Sequence, residues 1–219
     1  MTGTQTSEPG HTRERVLLAV LQHVPFDGWS QASLTKGCAD AGLDGEGWRS
    51  VFPAGVVEVV EYFHTYTDEK MTAVLAAENL EAMKIRDRIA TGIRVRLELL
   101  ARHREAVRRT CAYFALPQNT ALGLKCLSHT VDAIWRAAGD EATDFSYYTK
   151  RATRAGVYGA TILYWIDDDS ENFHDTFEFL DRRIADVMEL HKAREKLTRG
   201  LDELASRIGD LFGRPPPQA

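Results

Sequence analysis

The sequence predicts an all-α fold. Apolar residues recur at helical spacing along most of the chain, and no stretch alternates between apolar and polar residues as a half-buried strand does. Glycines and prolines separate these periodic segments, as they do between helices. With 219 residues, 44% of them apolar and 27% charged, the chain is long enough to bury a sizeable core and has an ordinary globular composition.

Four helices are predicted in the first part of the chain, over residues 13–24, 30–41, 44–52 and 56–77. Ser30 is a suitable N-cap for the second helix, and Gly42 ends it. Pro25 and Pro53 end the first and third helices, because proline lacks the N–H group that continues a helix.

The second part of the chain predicts further helices over residues 80–116 (one helix or two), 120–138, 143–166 and 170–188. Pro117 and Gly139 separate the first three of these segments. Three consecutive aspartates, beginning at Asp167, break the chain before the last helix, which Ser170 caps.

Charge and cysteine usage exclude several classes of protein. The net charge of −5 gives no reason to expect a nucleic-acid partner, and no run of 18 apolar residues predicts a membrane span. The polar N-terminus lacks the pattern of a targeting sequence, so we expect a cytoplasmic chain of bacterial type. The three cysteines show no paired spacing and are expected to be reduced thiols.

The first three predicted helices have the layout of a helix-turn-helix, and the long fourth helix makes this unit resemble that of TetR-type regulators. Between residues 26 and 60, however, two bases face five acids, and the expected recognition helix begins with the acidic, glycine-rich residues 44–47. A DNA reader needs bases to contact phosphates and side chains that reach base edges. We therefore expect the architecture without DNA binding.

Two Glu-x-x-His pairs, Glu61 with His64 and Glu171 with His174, have the spacing of di-iron carboxylate bundles. Glu171 lies in the first turn of a predicted helix, where an acid is favoured by the helix dipole, rather than in the middle of a bundle. We therefore expect no metal site and no catalysis, and a di-iron enzyme remains the weakest of three functional hypotheses.

The helix predicted over 143–166 carries two distinct faces. One is a predicted core stripe formed by residues 145, 148, 152, 155, 159, 162 and 166. The other combines aromatic and charged residues, which is typical of a binding patch; these are Asp144, Tyr147, Arg151, Arg154 and Tyr158. The alternative is that Tyr147 is simply a partly buried tyrosine.

Two further surfaces are open to more than one interpretation. The segment from Lys84 to Arg109 contains nine bases and only three acids, and we favour a solvated helix surface over one for an anionic membrane or acidic partner. Near the end of the chain, apolar residues repeat every three or four positions on an amphipathic helix, which either contacts a membrane or packs on its own domain. The apolar residues of this helix are Leu197, Leu201, Leu204, Ile208, Leu211 and Phe212.

The sequence resembles the coenzyme Q protein nine family of ubiquinone-biosynthesis accessory proteins, over about residues 13–188. The residues that carry the resemblance are His23-Val-Pro-Phe-Asp-Gly-Trp29, Phe52-Pro-Ala-Gly55, Trp135, Ala138-Gly-Asp140, Thr143-Asp-Phe145, Tyr148-Thr-Lys-Arg-Ala152 and Phe179-Leu-Asp-Arg-Arg183. One departure concerns residues 146 and 147, which are Ser-Tyr where many members have Asn-Trp.

The resemblance implies a homodimer with a TetR-like fold that lacks DNA binding and holds a lipid in its C-terminal region. It also implies that this lipid is delivered to a di-iron demethoxyubiquinone hydroxylase, and that the tail helix engages the membrane. The partner surface carried over from the family comprises Asp132, Ile134, Trp135, Asp144, Tyr147, Tyr148 and Arg151. Small residues that leave room for a lipid are Ala152, Ala155, Gly156 and Gly159.

The resulting hypothesis is a non-catalytic carrier that binds an isoprenoid or phospholipid-type ligand, has no other cofactor, and is peripheral on the inner membrane. A TetR-type regulator that responds to a hydrophobic effector is the alternative. The predicted organisation is a disordered N-terminus, a helix-turn-helix-like unit, a helical lipid-binding and dimerisation region, an amphipathic helix and a proline-rich tail, over residues 1–11, 12–55, 56–190, 191–213 and 214–219.

Overall fold

A computed structural model describes residues 9–44, 46–139, 147–189 and 199–200, and within these ranges all regular structure is helical. This confirms the predicted all-α class. The helices are α1 Pro9–Asp27, α2 Gln31–Asp40, α3 Trp48–Val51, α4 Val56–Ala76, α5 Ile85–Leu100, α6 Arg104–Ala115, α7 Thr120–Ala137, α8 Tyr147–Trp165 and α9, residues 174–189. Short 3₁₀ turns lie at Leu80–Ala82, Ala101–His103, Pro117–Asn119 and Glu171–Phe173.

The helix-turn-helix-like unit consists of α1, α2 and α3. A capping box begins α2: the Ser33 N–H donates to the Ser30 hydroxyl, and the Ser30 N–H donates to the Ser33 hydroxyl. The two longer helices approach closely at Gly37, where an added Cβ would lie 2.7 Å from the backbone nitrogen of Val20. Glycine is therefore required at this crossing.

Two predicted boundaries of α1 are wrong. The helix begins at Pro9, so residues 9–11, predicted to be disordered, are helical. It also continues past Pro25 to Asp27. A proline in the last turn removes a single N–H bond, and Gly28 then ends the helix in a left-handed conformation (φ 66°) while donating its N–H to the Val24 carbonyl oxygen.

The third helix is one turn long instead of extending over residues 44–52. The Asp44 carboxylate accepts a hydrogen bond from the Glu46 N–H, which is a turn interaction that competes with helix formation. Gly47 precedes the helix and further disfavours an earlier start. The region predicted as one helix or two over residues 80–116 contains two, α5 and α6, joined by a 3₁₀ turn.

The larger helical body is organised around α4, which packs against both α5 and α7, while α8 packs against α7. Its core contains large side chains that are at most 1% exposed: Met71, Ile93, Leu97, Ile134 and Trp165. The unit formed by α1–α3 is joined to this body through contacts of α1 with α4 and α6. One continuous apolar core therefore connects both parts.

A tight break separates α8 from α9, as the run of aspartates predicts. Asn172 and Phe173 adopt left-handed backbone conformations there (φ 53° and 57°). The buried Asp168 carboxylate accepts hydrogen bonds from the Ser170 N–H and from both the N–H and hydroxyl of Thr176. Burial disfavours the charge of Asp168, but these hydrogen bonds outweigh it and lower its pKa to about 2.

None of the described helices combines the length and the apolarity needed to cross a bilayer. The predictions for the N-terminal residues 1–8, the amphipathic helix 191–213 and the tail 214–219 fall outside the described residues, except that residues 199 and 200 are helical and exposed. The apolar residues on which the membrane-contact prediction depends are among those outside the description; they are Leu197, Leu201, Leu204, Ile208, Leu211 and Phe212.

Candidate functional site

A cavity of about 330 Å³ lies between five helices, α4 to α8. This volume is at the small end of the range of ligand pockets, ~300–1,000 Å³. Its wall is mostly apolar, and the residues that contribute to it are Phe63, His64, Thr67, Arg96, Leu100, Val107, Thr110, Cys111, Phe114, Ala115, Thr120, Gly123, Leu124, Leu127, Tyr158, Gly159, Ile162 and Leu163. The cavity is therefore suited to an apolar ligand with a small polar portion.

The polar portion of the wall is centred on Arg96, whose side chain is 1% exposed. Its Nε donates to an Asp68 carboxylate oxygen at 2.8 Å, and its Nη1 donates to the Tyr158 hydroxyl oxygen at 2.7 Å. Thr130 donates its hydroxyl to Asp68 and accepts from Arg96. A buried charge is tolerated when it is paired and hydrogen-bonded in this way.

Burial disfavours the charge on Arg96, but the contacts with Tyr158 and Asp68 outweigh it and raise the arginine pKa. The guanidinium therefore remains charged. Burial also raises the pKa of Tyr158, to about 12, so that its hydroxyl keeps its proton at neutral pH. Together, the cluster contains one positive and one negative charge.

His64 completes this cluster from α4. Its Nδ1 lies 3.4 Å from Nη2 of Arg96, and its ring packs near Phe63 and Phe114, with centroid distances of 5.9 and 5.4 Å. Burial, together with the charge of Arg96, lowers the pKa of His64 to about 3, and the ring is therefore neutral at pH 7. The ring is partly accessible, whereas its Nε2 atom is sealed from solvent.

The rim of the cavity is apolar and exposed to solvent. Leu124 on α7 and Leu163 on α8 are 62% and 61% exposed, and both also belong to the cavity wall. Exposed leucines at the opening of an apolar cavity are a feature of surfaces that contact lipid, apolar ligands or other proteins.

The predicted lipid-binding residues on α8 are only partly associated with this cavity. Gly159 lies in its wall. Ala155 is half-buried and packs against the core, whereas Ala152 and Gly156 are exposed and do not belong to the cavity wall. The predicted core stripe is therefore displaced around the helix.

The buried side chains of α8 are Val157, Tyr158, Thr161 and Trp165. Tyr158 was assigned to the outward face by its spacing, and this assignment is wrong: it is 3% exposed and hydrogen-bonded to Arg96. The large side chains form the buried face of this helix, and the small residues of the predicted stripe lie to one side of that face.

Comparisons with known proteins identify the family. The COQ9 family model matches residues 120–191. The rat "Ubiquinone biosynthesis protein COQ9, mitochondrial" is 33% identical over 215 residues, which cover 92% of this chain and 69% of the rat protein. The chain belongs to the COQ9 family. The human protein of the same name is 32% identical, with 92% of this chain and 67% of the human protein covered.

The fold of this COQ9 family member is TetR-like, as predicted. A TetR transcriptional regulator from Nitrosomonas europaea superimposes with a TM-score of 0.66 over 80% of this chain and 97% of that chain, at 19% sequence identity. At this level of identity the comparison establishes the fold alone. The acidic character of the helix-turn-helix-like unit persists in the structure, where Lys36 pairs with Asp27 and Arg49 with Glu46.

The partner surface implied by the family resemblance is located where α7 ends and α8 begins. Ile134 and Trp135 are 1% and 6% exposed. In this conformation neither side chain is exposed for contact with a partner. The guanidinium of Arg154 lies 5.2 Å from the centroid of the Trp135 ring and links the two helices there.

The remaining residues of that surface are described to different extents. Asp132 is half-buried on α7. Asp144 lies outside the described residues, and for Tyr147, Tyr148 and Arg151 the description covers the α8 backbone but not the side chains. Positions 147, 151 and 154 are four and three residues apart, which is the spacing of one helix face.

Arg88 fixes the end of α7 that leads into this surface. Its guanidinium donates to the carbonyl oxygens of Glu81, Met83 and Ala138. It thereby joins the turn before α5 to Ala138, the residue that directly follows α7. The next residue, Gly139, is left-handed (φ 78°) and ends the helix. Arginine in the predicted basic surface thus has a structural role as well as a solvated one.

The two Glu-x-x-His pairs have other roles in the structure. Glu61 forms an ion pair with Lys125, and His64 belongs to the buried Arg96 cluster. Glu171 and His174 are both exposed at the break before α9. Among the described residues, no group of three or more His, Cys, Asp or Glu side chains is arranged to hold a metal ion.

Sequence reasoning missed the cluster of Arg96, Asp68 and Thr130. The signal was present in the register: Arg96 occupies the same helix stripe as Ile89, Ile93, Leu97 and Leu100, all of which are buried. An arginine within an apolar stripe indicates a buried ion pair. We did not recognise this signal because Arg96 was counted with the other bases of residues 84–109 as part of one solvated surface.

Proposed function

We propose that this protein is a non-catalytic lipid-binding protein of ubiquinone biosynthesis. It binds an isoprenoid or quinone-type lipid in the cavity lined by helices α4 to α8 and presents this lipid to a demethoxyubiquinone hydroxylase. The observation that carries the proposal is an apolar cavity with a polar cluster in its wall and two exposed leucines at its rim. The names of its relatives, ubiquinone biosynthesis proteins, supply the pathway.

The physical advantage of such a carrier is that it removes a lipid from water. Exposing apolar surface costs about 25 cal/mol per Å², so a free prenyl chain is strongly retained by a bilayer. An apolar cavity offsets this cost for the part of the lipid that it encloses. Because the volume of about 330 Å³ is small, a long prenyl chain would extend past Leu124 and Leu163 at the rim.

The surface at the junction of α7 and α8 is proposed to bind the hydroxylase. It lies on the same pair of helices that contributes Leu124, Gly159 and Leu163 to the cavity. A partner bound there would therefore be close to helices that contact the lipid. We also propose that the protein forms a homodimer and that residues 191–213 attach it to a membrane surface.

Mass spectrometry of lipids extracted from the protein after mild purification tests lipid binding. The expected result is a prenylated quinone, or its precursor, at a stoichiometry approaching one per chain. Protein that is repeatedly free of lipid, and that takes up none when mixed with vesicles containing ubiquinone, would refute the proposal. A pull-down with purified hydroxylase tests the partner separately.

A TetR-type regulator that responds to a hydrophobic effector is the second candidate, because the chain combines a TetR-like fold with an apolar cavity. The one-turn α3 and the pairing of Lys36 and Arg49 with acids argue against DNA contacts. Sequence-specific retardation of duplex DNA at physiological salt would favour the regulator; uniform lack of binding favours the carrier.

A further inference from the structure

The His64 side chain, in the wall of the cavity, has a defined tautomer. The guanidinium of Arg96 possesses only donors, so its contact with Nδ1 of His64 at 3.4 Å requires Nδ1 to be the acceptor. In a neutral imidazole the single proton must then be on Nε2. The hydrogen-bond network thereby assigns an N–H donor at Nε2.

This donor has no hydrogen-bond partner among the described residues, although it is buried. An unsatisfied buried donor is uncommon and destabilising, and a bound group that supplies the acceptor is one physical explanation for it. Because His64 forms part of the cavity wall, a molecule bound in the cavity is the group best placed to supply this acceptor.

Tyr158 offers a second donor in the same wall. Its hydroxyl oxygen accepts from Arg96, and within the described part of the chain no acceptor is found for its own proton. The two donors belong to α4 and α8, on either side of the Arg96 side chain that contacts both. A ligand with one or more acceptor oxygens would satisfy them.

The charges in the wall select against ionic ligands. Of the described side chains that line the cavity, Arg96 is the only one with a formal positive charge at neutral pH, and it is already paired with Asp68. A fatty-acid carboxylate or a phosphate would therefore enter without an available counter-charge, at a large desolvation cost. A neutral acceptor avoids that cost.

We propose that the Nε2–H of His64, assisted by the Tyr158 hydroxyl, binds a neutral acceptor oxygen of the lipid, such as a ring carbonyl or methoxy oxygen. This inference rests on the proposed lipid-binding function and extends it: the quinone ring occupies the cavity, and the prenyl chain leaves through the leucine rim. A small movement of the wall must uncover Nε2, and release to the hydroxylase must break this hydrogen bond.

The test compares two probes of similar shape, decylubiquinone and decylbenzene, the second of which lacks oxygen. Their binding to the full chain is measured by equilibrium dialysis for the wild type, His64→Phe, His64→Gln and the control His129→Phe, which changes an exposed histidine of α7. Phenylalanine keeps a ring without a donor, whereas glutamine restores an N–H donor.

We expect His64→Phe to weaken decylubiquinone binding by about threefold to tenfold, corresponding to one neutral hydrogen bond, and to leave decylbenzene binding unchanged. His64→Gln should recover most of the loss, and His129→Phe should match the wild type. Equal binding of decylubiquinone by the wild type and a folded His64→Phe variant would overturn the inference while leaving lipid binding intact. Failure of the wild type to bind either probe would overturn both.

A spectroscopic measurement keeps the inference testable even if the variants do not fold. In the wild type labelled with ¹⁵N-histidine, NMR should show His64 in the Nε2–H tautomer, with a shift of the Nε2–H signal on addition of decylubiquinone but not of palmitate. An Nδ1–H tautomer, or no response of this signal to bound decylubiquinone, would contradict the assignment.

Discussion

Filling the cavity at Gly159 should strongly weaken lipid binding without harming the fold. Gly159 lies in the cavity wall, and a Cβ atom added there would meet no heavy atom within 4 Å. A leucine at this position therefore has space for its side chain. Because glycine inside a helix is about 1 kcal/mol less favourable than a good helix former, Gly159→Leu should be as stable as the wild type or slightly more so.

The expected loss of affinity follows from the volume that leucine occupies. Its side chain adds four carbons and excludes about as many carbons of the ligand. At about 0.8 kcal/mol for each buried CH₂ group, the loss is about 3 kcal/mol, or roughly two hundredfold in Kd. This difference is large enough to be measured by isothermal titration calorimetry with decylubiquinone.

Gly156→Leu provides the matched control on the same helix. Gly156 is exposed, lies outside the cavity wall, and also has no heavy atom within 4 Å of an added Cβ. It should gain the same helix propensity and keep the wild-type affinity. If Gly159→Leu is folded by circular dichroism and binds decylubiquinone as tightly as Gly156→Leu, lipid does not occupy this cavity.

Three further predictions concern the buried pair, the α8–α9 break and the partner surface. Asp68→Ala removes the counter-charge of a buried guanidinium and should lower the free energy of unfolding by about 3–5 kcal/mol in urea denaturation; a loss below about 1 kcal/mol would show that the pair is solvated. Thr176→Val removes a hydrogen bond that lowers the Asp168 pKa, so it should cost about 1–2 kcal/mol at pH 6. A carboxyl group whose pKa is lowered in the folded state stabilises the fold at pH values above its unfolded pKa, which is near 4, and this contribution is lost as the pH falls towards 2. The stabilities of the wild type and Thr176→Val should therefore converge near pH 2. A difference that stays constant with pH would contradict this role of Asp168. Tyr147→Ala should weaken hydroxylase pull-down without changing the melting temperature, whereas Tyr164→Ala, on the same helix, should not; loss of soluble protein for Tyr147→Ala would instead indicate a core residue.

The helices were predictable because their ends depend on local chemistry. Ser30, Gly42 and Gly139 act as caps and breakers at the places where sequence reasoning put them. Pro25 was misjudged because the cost of a proline depends on its place in the helix, and a left-handed Gly28 directly after the last helical residue completes the cap. The turn at Asp44 was missed because its side chain competes with the backbone for hydrogen bonds.

The candidate site was less predictable because it depends on contacts between residues far apart in the sequence. Arg96 meets Asp68 and Tyr158 from different helices, and no local pattern relates the three. On α8, the small residues were assigned to the core, and the predicted buried stripe is therefore rotated about the helix axis relative to the buried face in the structure. Weighting the large side chains Tyr158 and Trp165 would have found the buried face.

Delivery of lipid to the hydroxylase tests the account most directly. Purified hydroxylase is given demethoxyubiquinone in phospholipid vesicles, and its product is measured with and without this protein. If the protein carries lipid in this cavity, hydroxylation should be faster with the wild type and with Gly156→Leu, unchanged by Gly159→Leu, and absent with this protein alone. Equal stimulation by Gly159→Leu, or none by the wild type, would contradict a carrier that works through this cavity.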